Sequence, residues 1–234
     1  HDPHSLRLKA SGNDLCAQCH VPEYFDTKQH HKHQVGSTGA QCVNCHMTSQ
    51  TYMGVDDRRD HSFRIPRPDL SHQINSPDAC TSCHTDQDVS WAIEHTNDWV
   101  GDKNEKTHYG EILNDVFLNN PDAEQKLKTM LKDHELPEII RGSGYSLLSN
   151  YPNENSAQLI KIGSLSPEPL VRLGAVQGSA FIPLDARFSI LAPLLSDEYR
   201  AIRVETVRAL SDLPPETIDA NHKQQYLDAE KEFL

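Results

Sequence analysis

Three copies of one five-residue pattern carry most of the chemistry in this chain: Cys16–His20, Cys42–His46 and Cys80–His84. Each copy has the form Cys-x-x-Cys-His, and together they use all six cysteines of the protein. Two thiols with this spacing can add to the two vinyl groups of one haem, and the adjacent histidine can ligate its iron. The pattern therefore predicts three covalently attached haem c groups, bound by Cys16, Cys19, Cys42, Cys45, Cys80 and Cys83, with His20, His46 and His84 as proximal iron ligands.

Two other kinds of site use Cys-x-x-Cys pairs, namely zinc ribbons and thioredoxin-like redox pairs. A zinc ribbon needs an even number of pairs and no particular residue after them, whereas here three pairs each precede a histidine. A redox pair would occur once, at the start of a helix that follows a strand. The repetition of the whole pattern favours haem over both alternatives.

The composition indicates that the N-terminal part of the chain folds around these cofactors. Of the 234 residues, 36% are hydrophobic and 6% aromatic, which is low for a chain that must close its own core. The first ninety residues are especially poor in leucine, isoleucine and valine. We expect three haems to supply the missing apolar surface.

Charge and compartment narrow the choice of partners. The formal net charge is −12, and haem propionates would make it more negative, which argues against nucleic acid or an anionic membrane as a partner. No apolar run is long enough to span a bilayer. Covalent haem attachment takes place outside the cytoplasm, so we expect a processed or trimmed chain that is periplasmic or extracellular and meets redox partner proteins.

The segments between the motifs offer distal ligands and propionate partners. The tract over residues 30–33 contains three candidate axial ligands, His30, His31 and His33, and we expect at least one of them to ligate a haem. Their spacing does not show which one. Prolines and alternating charges in residues 52–71 argue against a regular helix and predict an extended run. Its arginines suit bidentate binding of propionates, although a charged surface loop would look similar: Arg58, Arg59, Arg64 and Arg67.

The same segment strongly resembles a family of multihaem cytochromes that combine a haem-rich N-terminal region with HEAT-like helices, and whose longer members continue into tetratricopeptide repeats. The shared sequence motifs begin with a His-His-x-His tract, Cys-x-x-Cys-His-Met and Tyr-Met. They continue with Arg-Arg-Asp-His-Ser-Phe-Arg-Ile-Pro-Arg-Pro-Asp-Leu-Ser, and then with Pro-x-Ala-Cys-x-x-Cys-His followed by a tryptophan, here Trp91. The resemblance covers most of the chain and implies that His61 is a distal haem ligand. His72 has no counterpart in these shared motifs.

The first residues resemble the doubled Cys-x-x-Cys-His module of multihaem cytochromes. The match runs from His1-Asp2-Pro3-His4-Ser5 to the first motif, with His1 at the place of the family's proximal histidine. Because this sequence does not contain the upstream cysteines, we expect no fourth haem there. The resemblance implies that His4 is a distal ligand, and it leaves His1 as a free candidate ligand.

A 31-residue repeat organises the rest of the chain. Ile140-Arg141, Val171-Arg172 and Ile202-Arg203 recur at this interval, as do three prolines that precede helical patterns. Such a period predicts stacked helix pairs. The expected fold is therefore mainly α, with a loop-rich, haem-packed trihaem cytochrome c domain over residues 1–104 and a HEAT-like α-solenoid over residues 105–234. Two further helices are expected, over residues 121–134 and from Val89 to Val100. The solenoid is either a docking platform or a structural cap.

Eleven histidines remain beside the three proximal ones, and three haems need only three distal ligands. A haem with histidine on both faces has no open position, which suits electron transfer rather than catalysis. The alternative is a multihaem reductase of a nitrogen or sulfur oxyanion with one open haem. A third hypothesis is self-association: if His1 or His4 ligates a haem of the next chain, head-to-tail contacts propagate into an extracellular conductive filament.

Overall fold

The protein is mainly helical and divides into two compact units. The computed structural model describes residues 7–101, 107–214 and 217–233. Its units are His1–Lys106 and Thr107–Leu234. Within the described residues there are thirteen helices and one two-stranded sheet. The prediction of a mainly α fold is confirmed.

Short elements joined by loops make up the first unit. Its helices and strands, in chain order, are α1 (Pro22–Phe25), α2 (Lys28–His31), α3 (Cys42–His46), β1 (Ser49–Tyr52), β2 (Asp56–Arg59), α4 (Pro68–Gln73) and α5 (Val89–Val100). The helix predicted from Val89 to Val100 is confirmed as α5. It begins after Asp88, whose carboxylate accepts a hydrogen bond from the Trp91 amide at 3.0 Å and so satisfies one free donor of the first turn.

The run over residues 52–71 is only partly extended. Strands β1 and β2 pair antiparallel, with Ser49 opposite Arg59. The prediction of an extended run is wrong for its last residues, where α4 begins at Pro68. Proline is well tolerated in the first helical turn, because its missing amide hydrogen would have no partner there. A proline therefore starts a helix in a segment where we expected none.

The first unit has no ordinary apolar core. Among its described residues, the buried apolar side chains are those of Ala40, Pro68 and Ala92, and all three are small. Large apolar side chains such as Met53 and Val55 are about four-fifths exposed, at 80% and 82%. Apolar side chains that a core would normally bury therefore remain exposed in this unit. Its composition predicts this.

The second unit contains the large buried side chains. Its helices are α6 (Tyr109–Phe117), α7 (Ala123–Met130), α8 (Glu138–Ser146), α9 (Glu154–Ser164), α10 (Pro169–Gly178), α11 (Leu184–Leu191), α12 (Arg200–Leu210) and α13 (Lys223–Phe233). The helix expected over residues 121–134 is α7, which is shorter at both ends. Leu127, Leu148, Ile160 and Leu210 are completely buried in this unit, so it closes a core from its own side chains.

The arginines that recur every 31 residues make the same kind of contact in three places. Each binds an acidic residue 25 to 29 positions further along the chain: Arg141 with Glu168, Arg172 with Asp197, and Arg203 with Glu232. In the central pair Nε of Arg172 donates to Asp197 at 2.7 Å, and both side chains are largely buried. Helices α8 and α10 also approach closely, since a Cβ on Gly174 would lie 2.0 Å from the carbonyl oxygen of Gly142.

Candidate haem-binding site

Each Cys-x-x-Cys-His motif forms one helical turn. The amide of His20 donates to the Cys16 carbonyl at 2.9 Å, and the amide of His84 donates to the Cys80 carbonyl at 2.9 Å. The second motif is helix α3 itself, Cys42–His46. Side chains three and four positions apart share one face of such a turn. The first thiol of each motif therefore shares a face with the second thiol and with the histidine.

The histidines of two of the three motifs, His46 and His84, lie beside a histidine of the tract at residues 30–33. The ring centroids of His30 and His46 are 6.2 Å apart with the ring planes 18° from parallel. Those of His33 and His84 are 6.0 Å apart with an angle of 35° between the planes. These two pairs bring together side chains that are 16 and 51 residues apart in the sequence.

The separation within each pair fits one metal ion between two opposed imidazoles. A metal–nitrogen bond of about 2 Å places opposed ring centroids about 6 Å apart, whereas a tetrahedral metal would bring them to about 5 Å. The centroid distances of His30–His46 and His33–His84 equal the distance expected for the opposed arrangement, with nearly parallel ring planes in the first pair and tilted planes in the second. Haem leaves its two axial positions on opposite faces, so the residues present fit this cofactor.

Hydrogen bonds at Nδ1 leave the other ring nitrogen available to the metal. Nδ1 of His46 lies 2.8 Å from the Arg64 carbonyl oxygen, and Nδ1 of His33 lies 2.5 Å from the His31 carbonyl oxygen. A carbonyl oxygen only accepts, so Nδ1 carries the proton and Nε2 keeps its lone pair. Metal-ligating histidines usually have such a partner, which also fixes the orientation of the ring.

His31 has a different role from its two neighbours. Its Nδ1 accepts a hydrogen bond from the His33 amide at 3.2 Å, so the proton of the neutral ring is on Nε2. That nitrogen is buried, lies 3.8 Å from Asp26 Oδ1 and has no hydrogen-bond partner in the described part of the chain. With both its carbonyl and its ring, His31 therefore orients His33.

The first motif lacks a comparable pairing in the part of the chain that the structure describes. The ring of His20 contacts Phe25 edge-on at 5.4 Å, and Phe25 contacts His30 in the same way at 5.4 Å. The two candidate ligands His1 and His4 lie outside the described residues. The described contacts therefore give His20 an aromatic neighbour, and not a second imidazole.

The electrostatic environment favours neutral imidazole and neutral thiol. Burial, and then repulsion from His46 and His31, lowers the pKa of His30 and favours the neutral form that ligates metals. Burial also raises the pKa of Cys42 and of Cys80 to about 11. Reactive thiolates in redox pairs have lowered pKa values, so these thiols differ from those of a thioredoxin-like site.

Two polar side chains that the sequence analysis did not single out anchor the motifs. Oδ1 of Asn13 accepts from the Cys42 amide at 3.0 Å, and its Nδ2 donates to the Ala40 carbonyl at 2.9 Å. Asp78 accepts from the Cys80 amide at 2.8 Å and so caps the third motif. An acid two residues before a helical turn is a recognisable capping signal, but the partner of Asn13 lies 29 residues away.

Gly39 fixes the place of the His33 ring. A Cβ atom at this position would lie 2.2 Å from Cδ2 and 2.8 Å from Nε2 of His33. Contacts this short do not occur between non-bonded carbon atoms. The imidazole of His33 can therefore occupy its position opposite His84 only because residue 39 has no side chain.

Each of the four arginines predicted to bind propionates has a partner within the protein. Nη1 of Arg59 donates to the carbonyls of Val43 and Met47, at 3.1 and 3.0 Å, and so clamps helix α3. The other three pair with nearby carboxylates: Arg58 with Asp56, Arg64 with Asp60, and Arg67 with Asp69. Arg58 and Arg64 are largely exposed, so the predicted contact with propionates is sterically open to these two.

The remaining histidines fall into two groups. His61 is exposed, and its Nδ1 lies 2.9 Å from the Arg59 carbonyl oxygen, which leaves Nε2 free to act as an acceptor. His72 is exposed on α4. The others have contacts typical of structural histidines: His95 with Trp91, His108 with Gly110, His134 with Arg141, and His222 with Asp219.

The comparisons with known proteins leave the site to be judged on its own geometry. No protein-family model, no curated protein and no solved structure matches this chain. Over residues 7–101, 107–214 and 217–233, no group of three or more histidine, cysteine, aspartate or glutamate side chains is arranged to hold a metal ion. Over the same ranges, no helix has the length and apolar character needed to cross a membrane.

Proposed function

We propose that this protein is a trihaem c-type cytochrome that transfers electrons. The observation that carries this proposal is the opposition of His30 to His46 and of His33 to His84, with ring centroids 6.2 and 6.0 Å apart. In both pairs, the proximal histidine belongs to a helical turn that also presents two thiols on the same face. Such a turn with an opposed imidazole is the arrangement of a covalently attached, bis-histidine haem.

The residues of the chain hold and enclose the cofactor, which supplies the redox chemistry when bound by exchanging one electron at its iron. The cysteines anchor each haem through thioether bonds. His30 with His46, and His33 with His84, would ligate the second and third haems, and each haem would then lack an open position for a substrate, which suits electron transfer. This favours an electron carrier over an enzyme, and location in the periplasm or outside the cell follows from covalent haem attachment.

The first haem allows a second candidate function. In the described residues, His20 contacts Phe25 and not a second imidazole. Its distal ligand then comes from His61 or His4, or from His1 or His4 of a neighbouring chain. Ligation by a neighbouring chain would link copies head-to-tail into a conductive filament. An open first haem would instead support reduction of a small nitrogen or sulfur oxyanion.

For the second unit, we propose a HEAT-like solenoid that docks redox partners or other copies of the chain. The support is the contact that recurs at a 31-residue interval, in which Arg141, Arg172 and Arg203 each bind a later acidic residue. A repeated inter-helix contact at one period is typical of stacked helical repeats. This architecture would also fit the multihaem cytochrome family that the motifs resemble.

Ligand substitutions test the electron-carrier proposal. The purified protein should contain three haems by mass and by alkaline pyridine spectrum. His33→Ala and His30→Ala should each open one haem, which then binds carbon monoxide when reduced. His72→Ala, which changes an exposed histidine, should leave the spectrum unchanged. A haem count other than three, or low-spin spectra in both His33→Ala and His30→Ala, would refute the proposal.

Deletion of residues 1–5 tests the link between chains. If His1 or His4 ligates a haem of the neighbouring chain, the truncated protein should gain one haem that binds carbon monoxide and should lose its polymers in sedimentation. Unchanged spectra and unchanged sedimentation would rule out this contact. If the intact protein already binds carbon monoxide at one haem, the reductase reaction becomes the better candidate.

A further inference from the structure

A short segment after β2 wraps around the second Cys-x-x-Cys-His motif. We call this segment, residues 60–64, the strap. At its start, the amide of Asp60 donates to the Thr48 carbonyl at 3.0 Å. At its end, the amide of Arg64 donates to the His46 carbonyl at 3.0 Å, and the Arg64 carbonyl oxygen lies 2.8 Å from Nδ1 of His46. One residue of the strap therefore binds both the backbone and the ring of His46.

The carboxylate of Asp60 determines the shape of the strap. Its Oδ1 accepts hydrogen bonds from the Ser62 amide at 2.8 Å and from the Ser62 hydroxyl at 2.6 Å. Its Oδ2 lies 3.0 Å from Nε of Arg64, which also donates to the Ser62 hydroxyl at 2.8 Å. An aspartate that binds the backbone two residues further on stabilises a tight local turn. Asp60 is thus connected both to the turn and to the residue that binds His46.

The strap contains one residue in a strained conformation. Phe63 has a φ of 51°, in the left-handed region, although its side chain is bulky and 66% exposed. Such a conformation is an outlier for a bulky residue and persists only where the surrounding contacts hold the backbone in place. Both neighbours of Phe63, Ser62 and Arg64, are bonded to Asp60. The carboxylate therefore holds the backbone that presents the Arg64 carbonyl to His46.

The contact at Nδ1 affects the electronic properties of His46 when this histidine ligates iron. A hydrogen bond from Nδ1 to a carbonyl oxygen makes the imidazole a more basic ligand and fixes the orientation of its ring. A more basic ligand stabilises ferric iron relative to ferrous iron, and so lowers the reduction potential. Hydrogen bonding around a haem ligand is one of the means by which a protein sets this potential.

We propose that Asp60 is a positioning residue for His46, and that it holds the strap so that the Arg64 carbonyl lowers the reduction potential of the second haem. This inference rests on the proposed function and deepens it, because it assigns residues that tune one of the three haems. At the third haem, Nδ1 of His33 instead lies beside the His31 carbonyl oxygen. Loss of the Asp60 carboxylate should therefore change the potential of one haem and not of all three.

Potentiometric titration of the purified, haem-loaded protein tests the proposal. In Asp60→Ala, one haem should gain about tenfold in its reduction equilibrium constant, which raises its midpoint potential by about 59 mV. Asp60→Asn keeps an oxygen that can accept from the Ser62 amide, so its shift should be much smaller.

The matched control separates the strap from the loss of a negative charge. Asp57 is exposed on β2 and accepts a hydrogen bond from the Thr51 hydroxyl at 2.6 Å. Asp57→Ala therefore removes a nearby charge but leaves the contacts of the strap in place, and its shift should match the small one of Asp60→Asn. Equal shifts in Asp60→Ala and Asp57→Ala would overturn the proposal, because charge alone would then explain them.

Resonance Raman spectroscopy assigns the effect to the ligand. In His30→Ala, the reduced second haem should keep His46 as its one axial ligand, and its iron–histidine stretching band then reports the strength of that bond. Because the hydrogen bond at Nδ1 strengthens the bond to iron, the double variant His30→Ala/Asp60→Ala should show this band at lower frequency. The double variant His30→Ala/Asp57→Ala should not. An unchanged band in the first double variant would overturn the proposal.

The same samples separate failure of this inference from failure of the proposed function. A haem count other than three, or no carbon monoxide binding by His30→Ala, would contradict the proposed function at the second haem. Three low-spin haems whose potentials respond equally to Asp60→Ala and Asp57→Ala would refute only the role of Asp60. If Asp60→Ala does not retain three haems, Ser62→Ala replaces it, because this change removes the hydroxyl bonds to Asp60 and Arg64. Ser62→Ala should raise the same potential, and an unchanged potential would overturn the proposal.

Discussion

Replacing Gly39 with alanine should open the third haem although no candidate ligand is itself replaced. The added Cβ would lie 2.2 Å from Cδ2 of His33. Non-bonded carbons need about 3.5 Å, so the ring must move by about 1.3 Å. Metal–ligand distances tolerate only about 0.2 Å, so this shift exceeds the tolerance several-fold. His33 should therefore leave the iron opposite His84.

The assay is carbon monoxide binding to the reduced protein, together with the spin state of the oxidised protein. In Gly39→Ala, one haem of three should become high-spin and bind carbon monoxide, and added imidazole should restore the low-spin state. Gly36→Ala is the control, because its Cβ meets no atom within 4 Å. That variant should lose about 1 kcal/mol of stability through its φ of +81° but keep the wild-type spectrum. A fully low-spin Gly39→Ala protein that does not bind carbon monoxide would refute the position assigned to His33.

Three further outcomes are expected. Arg172→Ala should lower the free energy of unfolding by about 3 kcal/mol in urea titrations, because it leaves buried Asp197 unpaired; exposed Arg200→Ala should change it by under about 0.5 kcal/mol. Asp78→Ala removes the hydrogen bond to the Cys80 amide and should cost about 1 kcal/mol and lower occupancy of the third haem, measured by mass. Burial alone would raise the pKa of Asp78, but its hydrogen bonds hold it below 3.8; this stabilisation is present above pH 3.8 and is lost as pH falls below it, so acid unfolding of Asp78→Asn should be less pH-dependent than that of the wild type.

The sequence predicts those features that depend on local spacing. Helix α5 was predicted with both ends correct because its pattern and its Asp88 cap are local signals. Arg141, Arg172 and Arg203 recur every 31 residues, which predicts repeated contacts between helices. Their acidic partners follow at unequal intervals along the chain. The three Cys-x-x-Cys-His motifs are also local signals, and each forms one helical turn, whereas their attachment to haem stays a prediction.

The sequence could not predict which histidines of the tract lie beside His46 and His84. Their placement depends on the left-handed turn at Lys32 and on the space above Gly39, which send His30 and His33 toward different motifs. The role of Asn13 was also hidden, because its partner is 29 residues away. Such contacts arise only when distant segments meet, and no local pattern reports them.

Helix α4 lies in a segment where a local rule predicts no helix. The prolines after β2 argue against a regular helix there. Pro68 instead occupies the first turn of α4, where proline costs nothing because that amide has no partner. Position within the helix, and not the presence of proline, decides the outcome.

Carbon monoxide titration of the reduced wild-type protein tests the central claim most directly. Opposed histidines at the second and third haems predict that at least two of the three irons per chain remain six-coordinate and bind no carbon monoxide. Their oxidised spectra should be wholly low-spin. Carbon monoxide binding at two or more irons per chain would contradict the ligation by His30 and His33.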